Sequence, residues 1–362
     1  MLEKYLNGIE QPDKVAMKAA VSRLDNLVKP PGSLGVLENV AARLAGIGGQ
    51  MYYDTSKRCV IIMAADNGVV EEGVSAAPQA VTYAQTMNFT KGITGVNVLA
   101  KQFSADLVVV DVGINGETDH PMIKNKKIRN GTHNIAKQAA MTLEEAEQAV
   151  LIGVETAIEA ANSGYKLIGV GEMGIGNTTT SALVLCALAY MRPEQAAGKG
   201  AGLSDEAYRR KIDVIKAALE FHAPNPAEPL DVLAKVGGFD IAAMAGVFIG
   251  AAYMRIPVVI DGFISIVAAL VAARLNPLVK EYMFASHASF EQGYKHAARI
   301  LGVEPCLHLD MRLGEGSGCP LMFAVMDAAC VVIRDMGTFE DGSIDEEYLE
   351  EMKDADFHIR GL

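Results

Sequence analysis

A carboxylate set between glycines, Gly314-Glu315-Gly316-Ser317-Gly318, precedes an apolar stretch that begins at Cys319. Glycine lets the backbone turn tightly and lets other groups approach it closely. Glu315 therefore reads as a general base held on a turn, against the plainer reading of an acid facing a helix N-terminus. A second group, Gly171-Glu172-Met173-Gly174-Ile175-Gly176-Asn177-Thr178, follows an apolar run. Its glycine turns open a helix, and Asn177 and Thr178 lie near the end whose N–H groups favour a phosphate. Glu172 is either a turn acid or an acceptor for a ring nitrogen. Ser286-His287-Ala288-Ser289 adds hydroxyls and an imidazole. Ser289 is expected to cap a helix and to donate to phosphate, with His287 structural. Tyr208-Arg209-Arg210-Lys211 reads as a solvated basic helix face from which Lys211 can reach a phosphate.

Several chemistries are disfavoured. Gly169, Gly171 and Gly174 match G-x-G-x-x-G, but a dinucleotide site wants a second strand ending in an acid about 20 residues on. Here a helix leads instead to Arg192-Pro193 and Gly198-Lys199-Gly200. No G-x-S-x-G elbow is present. No apolar strand ends in paired acids followed by Thr-Gly-Gly, which ranks a pyrophosphate-donor transferase last. The seven His show neither H-x-x-x-H nor H-E-x-x-H spacing, so no metal or cofactor is expected. The five Cys form no C-x-x-C pair and suit a reducing cytoplasm, with Cys59, Cys186 and Cys330 in apolar runs. A net charge of −12 argues against nucleic acid as a partner. No signal peptide is expected at the N-terminus, and the apolar run 241–254 is too short to cross a bilayer.

The elements that must position these residues follow from periodicity. The chain has 362 residues, enough for a sizeable buried core. Continuous apolar runs at 59–65, 107–113, 167–170 and 257–262 predict strands buried on both faces. Weaker strands are expected at 282–286 and 306–312. Helices are predicted at 13–28, capped by Asp13 and stopped at Pro30-Pro31, then from Ser33 to about Gly48, and over 79–101. Further helices are predicted from the capping box Thr142–Glu145 to about Ser163, then at 178–191, 204–221 and 239–254. The polar stretch 114–140, with Lys124, Lys126, Lys127 and Arg129, reads as an excursion loop with a solvated basic run.

Alternating strand and helix predicts an α/β fold, Rossmann-like, with a mainly parallel sheet flanked by helices. Ligands then bind beyond the carboxyl ends of the strands. Asp66-Asn67-Gly68, Asp111, Gly171–Thr180, Asp261-Gly262, Ser286–Ser289 and Arg312–Gly318 all follow strands and converge there. Residues 1–50 and 337–362 lie outside the alternation and are expected to form a small helical domain beside a large one spanning 51–336.

At these motifs the chain resembles the nicotinate-nucleotide–dimethylbenzimidazole phosphoribosyltransferases over nearly its whole length. The resemblance rests on Lys29-Pro-Pro-Gly-Ser-Leu-Gly35, Ala65-Asp66-Asn-Gly-Val69, Gly73-Val-Ser75 with Val81-Thr82, and the Gly171–Thr179 stretch. It continues through Lys235-Val-Gly-Gly-Phe-Asp240, Asp261-Gly-Phe-Ile-Ser265, Ser286-His287 with Ser289, and Arg312–Gly318. It implies transfer of phosphoribose from nicotinate mononucleotide to a benzimidazole base, in building the lower ligand of a cobalamin-type cofactor. It also implies a homodimer. The resemblance places the catalytic glutamate at Glu315 and base contacts at Gln85 and Glu172. Mononucleotide contacts fall at Gly174, Gly176, Asn177, Thr178, Lys211 and Ser289, with Met173 and Gly316 beside them. Ala77 departs from relatives that carry a serine near the base, which bears on base preference. A non-catalytic sensor of a nucleotide or base is the alternative; it would not require a carboxylate at Glu315.

Overall fold

The computed structural model describes residues 1–200 and 202–345. Six strands form one wholly parallel sheet: β1 (Arg58–Ala65), β2 (Ala105–Gly113), β3 (Ile123–Asn125), β4 (Leu167–Met173), β5 (Val258–Ile260) and β6 (Met283–Ala285), in the order β3-β2-β1-β4-β5-β6. β1, with the longest apolar run, and β4 sit at the centre and are buried almost throughout. Such runs are what strands covered by helices on both faces require. The order reverses between β1 and β4, which opens a crevice at their carboxyl ends.

The helices are α1 (Leu2–Asn7), α2 (Lys14–Asp25), α3 (Val36–Gly48), α4 (Ala80–Lys91), α5 (Gly95–Gln102), α6 (Leu143–Asn162), α7 (Asn177–Ala189), α8 (Pro193–Ala196), α9 (Asp205–His222), α10 (Pro229–Val236), α11 (Phe239–Tyr253), α12 (Phe263–Leu275), α13 (Gln292–Leu301) and α14 (Cys319–Asp335). Predicted caps are present on α2 and α6. Asp13 accepts from Val15 and Ala16 N–H, and Thr142 and Glu145 form a reciprocal capping box. The buried helix α11 lies directly on α6. Side-chain carbons at Gly153 or Gly246 would come within 1.9 Å of backbone carbonyls of the facing helix, so glycine there permits close backbone approach.

The structure corrects several expectations. The helix predicted over 79–101 is two helices, because Gly92 adopts φ 74° and Thr94 starts α5 with its own capping box. Gly35, not Ser33, precedes α3, while Glu38 accepts the Leu34 N–H. Helix α2 ends at Asp25, before the Pro30-Pro31 pair. Residues 306–312 form no strand; they make one bridge, His287 to Leu307, and isolated backbone bonds from Cys306 to the Ala285 carbonyl and from Phe290 to the Met311 carbonyl. The basic run divides. Lys124 and Lys126 are exposed, whereas Lys127 reaches the buried Asp111 and Arg129 binds Glu145 and the Ala140 carbonyl.

Helices α2, α3 and α14 pack together. Both chain ends meet there: Val28 donates to the Gly337 carbonyl and Phe339 to the Asn26 carbonyl. Residues 346–362 of the expected small domain lie outside the described residues. Among the described residues no helix is long and apolar enough to cross a membrane.

Candidate active site

Beyond the carboxyl ends of β4, β5 and β6 lies a cavity of about 300 Å³. Its wall includes Ser75, Ala77, Val81 and Gln85, with Gln85 bonded to Glu315, and also Gly176, Asn177, Thr178, Gly200, Ser289 and Glu291. Met173, Gly174 and Glu172 line it as well. A volume of this size suits a small organic ligand.

Glu315 sits on a loop in which three successive residues have left-handed backbone: Gly314 at φ 82°, Glu315 at 63° and Gly316 at 86°. A non-glycine residue there is strained and must be held in place. Two carboxylates hold it. Glu172 Oε1 accepts the Glu315 N–H at 3.2 Å. Asp261 accepts the Gly316 N–H at 3.1 Å through Oδ2 and the Gly318 N–H at 2.6 Å through Oδ1. The Glu315 side chain is only 5 % exposed; Oε1 accepts from Gln85 Nε2 at 2.6 Å and Oε2 from the Val96 N–H at 3.2 Å. Glu315 thereby ties α4 and the start of α5 to the loop that precedes α14.

The glycines of β4 explain why G-x-G-x-x-G here is not a phosphate loop. A side chain on Gly171 would meet the Glu315 carbonyl at 2.5 Å, and one on Gly169 would meet Cys319 Cβ at 2.5 Å. They admit the Glu315 loop and α14 against the sheet, not a pyrophosphate. The phosphate-type geometry lies one turn later. Helix α7 starts after Gly176, at φ 98°, with no side-chain cap. The Asn177 N–H donates to the Gly174 carbonyl at 3.1 Å and the Thr179 N–H to the Gly176 carbonyl at 2.9 Å, so of its first three N–H groups only that of Thr178 is left for an anion.

Lys211 is not on a solvated face. It is fully buried, and Nζ donates to Thr178 Oγ1 at 2.9 Å and to the Gly198 carbonyl at 3.2 Å. It stands behind Thr178 and is not part of the cavity wall. Burial pushes its pKa down to about 8, against the opposing pull of the Glu291 carboxylate. Glu291 is itself raised by burial, opposed chiefly by Lys211. Ser289 does not cap a helix: α13 starts at Gln292 after Glu291, and Ser289 Oγ accepts the Glu291 N–H at 3.4 Å.

Three further acids are buried near the site. Desolvation raises Glu172, opposed by the Asn177 amide and the Glu315 N–H. It raises Asp240 and Asp261 to about 7 each. Asp240 accepts from Asn177 at 3.0 Å and Asn67 at 3.3 Å, which braces the start of α7.

Of the residues singled out in the sequence, Gln85, Glu172, Met173, Gly174, Gly176, Asn177, Thr178, Ser289 and Glu315 line the one cavity. Gly316 stands outside it, packed on Gly171. Asp66, Asn67 and Asp111 follow strands but brace loops: Asp111 accepts from the Gly113 and Ile114 N–H groups, and Asp66 from Asn115. Sequence reasoning missed Glu291 and Gly200 as wall residues; the glycine run around Gly198 was the available signal.

The sequence model of a family described as phosphoribosyltransferase matches residues 9–344. A protein of Clostridium perfringens named nicotinate-nucleotide–dimethylbenzimidazole phosphoribosyltransferase is 54 % identical over 359 residues, 99 % of each chain. One of the same name from Acetivibrio thermocellus is 50 % identical, covering 96 % of this chain and 99 % of its own length. Among solved structures, CobT from Thermus thermophilus superposes with a TM-score of 0.88 at 40 % identity, over 91 % of this chain and 99 % of that one.

Proposed function

Since the chain belongs to the nicotinate-nucleotide–dimethylbenzimidazole phosphoribosyltransferase family, we propose that its cavity holds both substrates of that reaction, with Glu315 at the base and the α7 N-terminus at the phosphate. The protein transfers the 5-phosphoribosyl group of nicotinate mononucleotide to 5,6-dimethylbenzimidazole or a related base, releasing nicotinate and forming α-ribazole 5′-phosphate for the lower ligand of cobalamin.

In this reading the unprotonated ring nitrogen of the base attacks C1′ of the ribose. The C1′–N bond to nicotinate breaks, and its electron pair neutralises the pyridinium, so nicotinate leaves without needing a proton. Attack opposite the leaving group inverts C1′. The base then carries positive charge, and its other N–H becomes acidic. The Glu315 carboxylate takes that proton, a contribution of roughly 10²–10⁴ in rate for a positioned base. Thr178, Ser289 and the first turn of α7 hold the phosphate, with Lys211 behind them. The observation that carries the assignment is the buried Glu315 carboxylate, held on a strained loop in the wall of the same cavity that the start of α7 lines.

Residues 1–50 with 337–362 are read as a small domain, supported by the hydrogen bonds of Val28 to the Gly337 carbonyl and of Phe339 to the Asn26 carbonyl. The enzyme is further read as a cytoplasmic homodimer. The test is to mix the protein with nicotinate mononucleotide and 5,6-dimethylbenzimidazole and follow products by chromatography and mass. Nicotinate and ribazole phosphate in equal amounts are expected. A folded protein inert toward this base and a panel of others would favour a nucleotide or base sensor.

A further inference from the structure

The mechanism above gives no part to His287, which is 2 % exposed and lies in the cavity wall. Its ring sits under the Glu315 loop, so close that a side chain on Gly318 would meet Nδ1 at 2.3 Å. The neighbouring Ser286 hydroxyl has one proton. It donates to the Asp261 carbonyl at 3.1 Å and lies 3.0 Å from His287 Nδ1. With its proton committed to the carbonyl, Ser286 Oγ can only accept from Nδ1, so Nδ1 carries the imidazole proton. Asp261 Oδ1, 3.9 Å from Nδ1, favours the same placement. Burial pushes His287 down to about 4, so the ring is uncharged near neutral pH. Nε2 is left as a bare acceptor of a residue that lines the cavity, with no hydrogen bond to it among the described residues.

That acceptor borders Gly262, where an added side-chain carbon would lie 3.8 Å from Nε2 and 3.7 Å from Ser289 Oγ. The ring thus reaches from beneath the Glu315 loop, at Nδ1, to the neighbourhood of Ser289, at Nε2. The part of the mononucleotide that must span this interval is the ribosyl group, whose hydroxyls are donors. We propose that His287, with its proton on Nδ1, accepts at Nε2 a hydrogen bond from a ribose hydroxyl of the mononucleotide, and so selects ribosides over deoxyribosides. The proposal rests on the assigned reaction and adds a residue that reads the sugar. A bound substrate lacking that hydroxyl covers the acceptor and leaves it unpaired, which a site built for the bond penalises.

The test compares kcat/KM for nicotinate mononucleotide and its 2′-deoxy and 3′-deoxy analogues in wild type, His287→Asn and His287→Gln, with melting curves to verify folding. The Gln amide reaches the place of Nε2; the Asn amide reaches only that of Nδ1. Wild type is expected to disfavour one analogue by roughly tenfold or more. His287→Asn should abolish discrimination against that analogue alone, and His287→Gln should restore part of it. A merely structural histidine would lower all three substrates together. Full discrimination retained in His287→Asn overturns the proposal. So does a wild type that uses all three mononucleotides equally, a comparison that needs no variant to fold. Wild type inert toward nicotinate mononucleotide itself would instead overturn the assigned reaction. Calorimetric binding of the three mononucleotides would then decide the role of His287 separately: equal affinities would overturn it.

Discussion

The backbone N–H of Glu315 donates to the carboxylate of Glu172 at 3.2 Å, so one acid positions the other through its main chain. The Glu315 side chain is left facing Gln85 and the Val96 N–H. Glu315→Gln keeps the shape of that arrangement and removes the charge that receives the proton. The expected result is a fall in kcat of roughly 10²–10⁴ with mononucleotide binding preserved. Turnover within a few-fold of wild type would leave Glu315 as the tie between α4, α5 and the loop, with no part in proton transfer.

Lys211 gives a prediction in pH. Burial lowers its pKa to about 8. Its ammonium form favours a phosphate, and that form is lost as pH rises through the folded value. The profile of kcat/KM reports groups of the free enzyme. For the mononucleotide it should therefore fall above about pH 8. Lys211→Met should raise KM by roughly tenfold at neutral pH and lose that alkaline limb. An alkaline limb that persists in the variant would belong to another group.

Gly171 tests whether β4 glycines serve the loop or a ligand. A methyl at this position meets the Glu315 carbonyl at 2.5 Å and the Gly316 Cα at 2.9 Å, both backbone. Neither can yield without moving the catalytic loop. Gly171→Ala should cost about 1–3 kcal/mol of stability and reduce kcat more than it changes mononucleotide affinity. A selective loss of mononucleotide binding with normal stability would show that Gly171 faces the phosphate.

Lys29, in the Pro-Pro-Gly motif, contacts Glu38 at 2.8 Å, and both side chains are almost fully buried. The contact is ionic, and Lys29 Nζ makes no hydrogen bond among the described residues. Glu38 also accepts the Leu34 N–H. Glu38→Ala leaves a buried ammonium without its counter-charge and should destabilise by roughly 3–5 kcal/mol, while Lys29→Met with Glu38→Leu should recover much of that. Denaturant midpoints of the single and double variants measure it. A single variant as stable as wild type would mean water reaches Lys29 freely.

Local signals were readable where local chemistry decides the outcome. The Thr142–Glu145 capping box and the Asp13 cap appear where the residue types placed them, because each bonds within its own turn. The apolar runs of β1, β2, β4 and β5 marked buried strands for the same kind of reason: burial on both faces needs no knowledge of partners. Lys211 was hidden, since its neighbours Arg209 and Arg210 are polar and its burial comes from Gly198 and Thr178, far along the chain. The rule that ligands lie beyond strand ends gathered Asp66, Asp111 and Asp261 alike. Only the strand order decides that Asp261 reaches the Glu315 loop while the other two brace loops. The break between α4 and α5 was obscured because apolar spacing continues across Gly92, and one left-handed residue outweighed it.

The strand order also bears on how the chain is made. Strand β1 is completed early, and β2 soon covers one of its edges. Its other edge waits for β4, which begins only at Leu167. At roughly 5–20 residues per second, the hundred or so residues between them take the ribosome several seconds or more. Throughout that interval Cys59-Val-Ile-Ile-Met63 has an open, apolar hydrogen-bonding edge. A nascent chain halted before β4 should be among the most aggregation-prone intermediates of synthesis and a strong client for a holding chaperone at the tunnel exit.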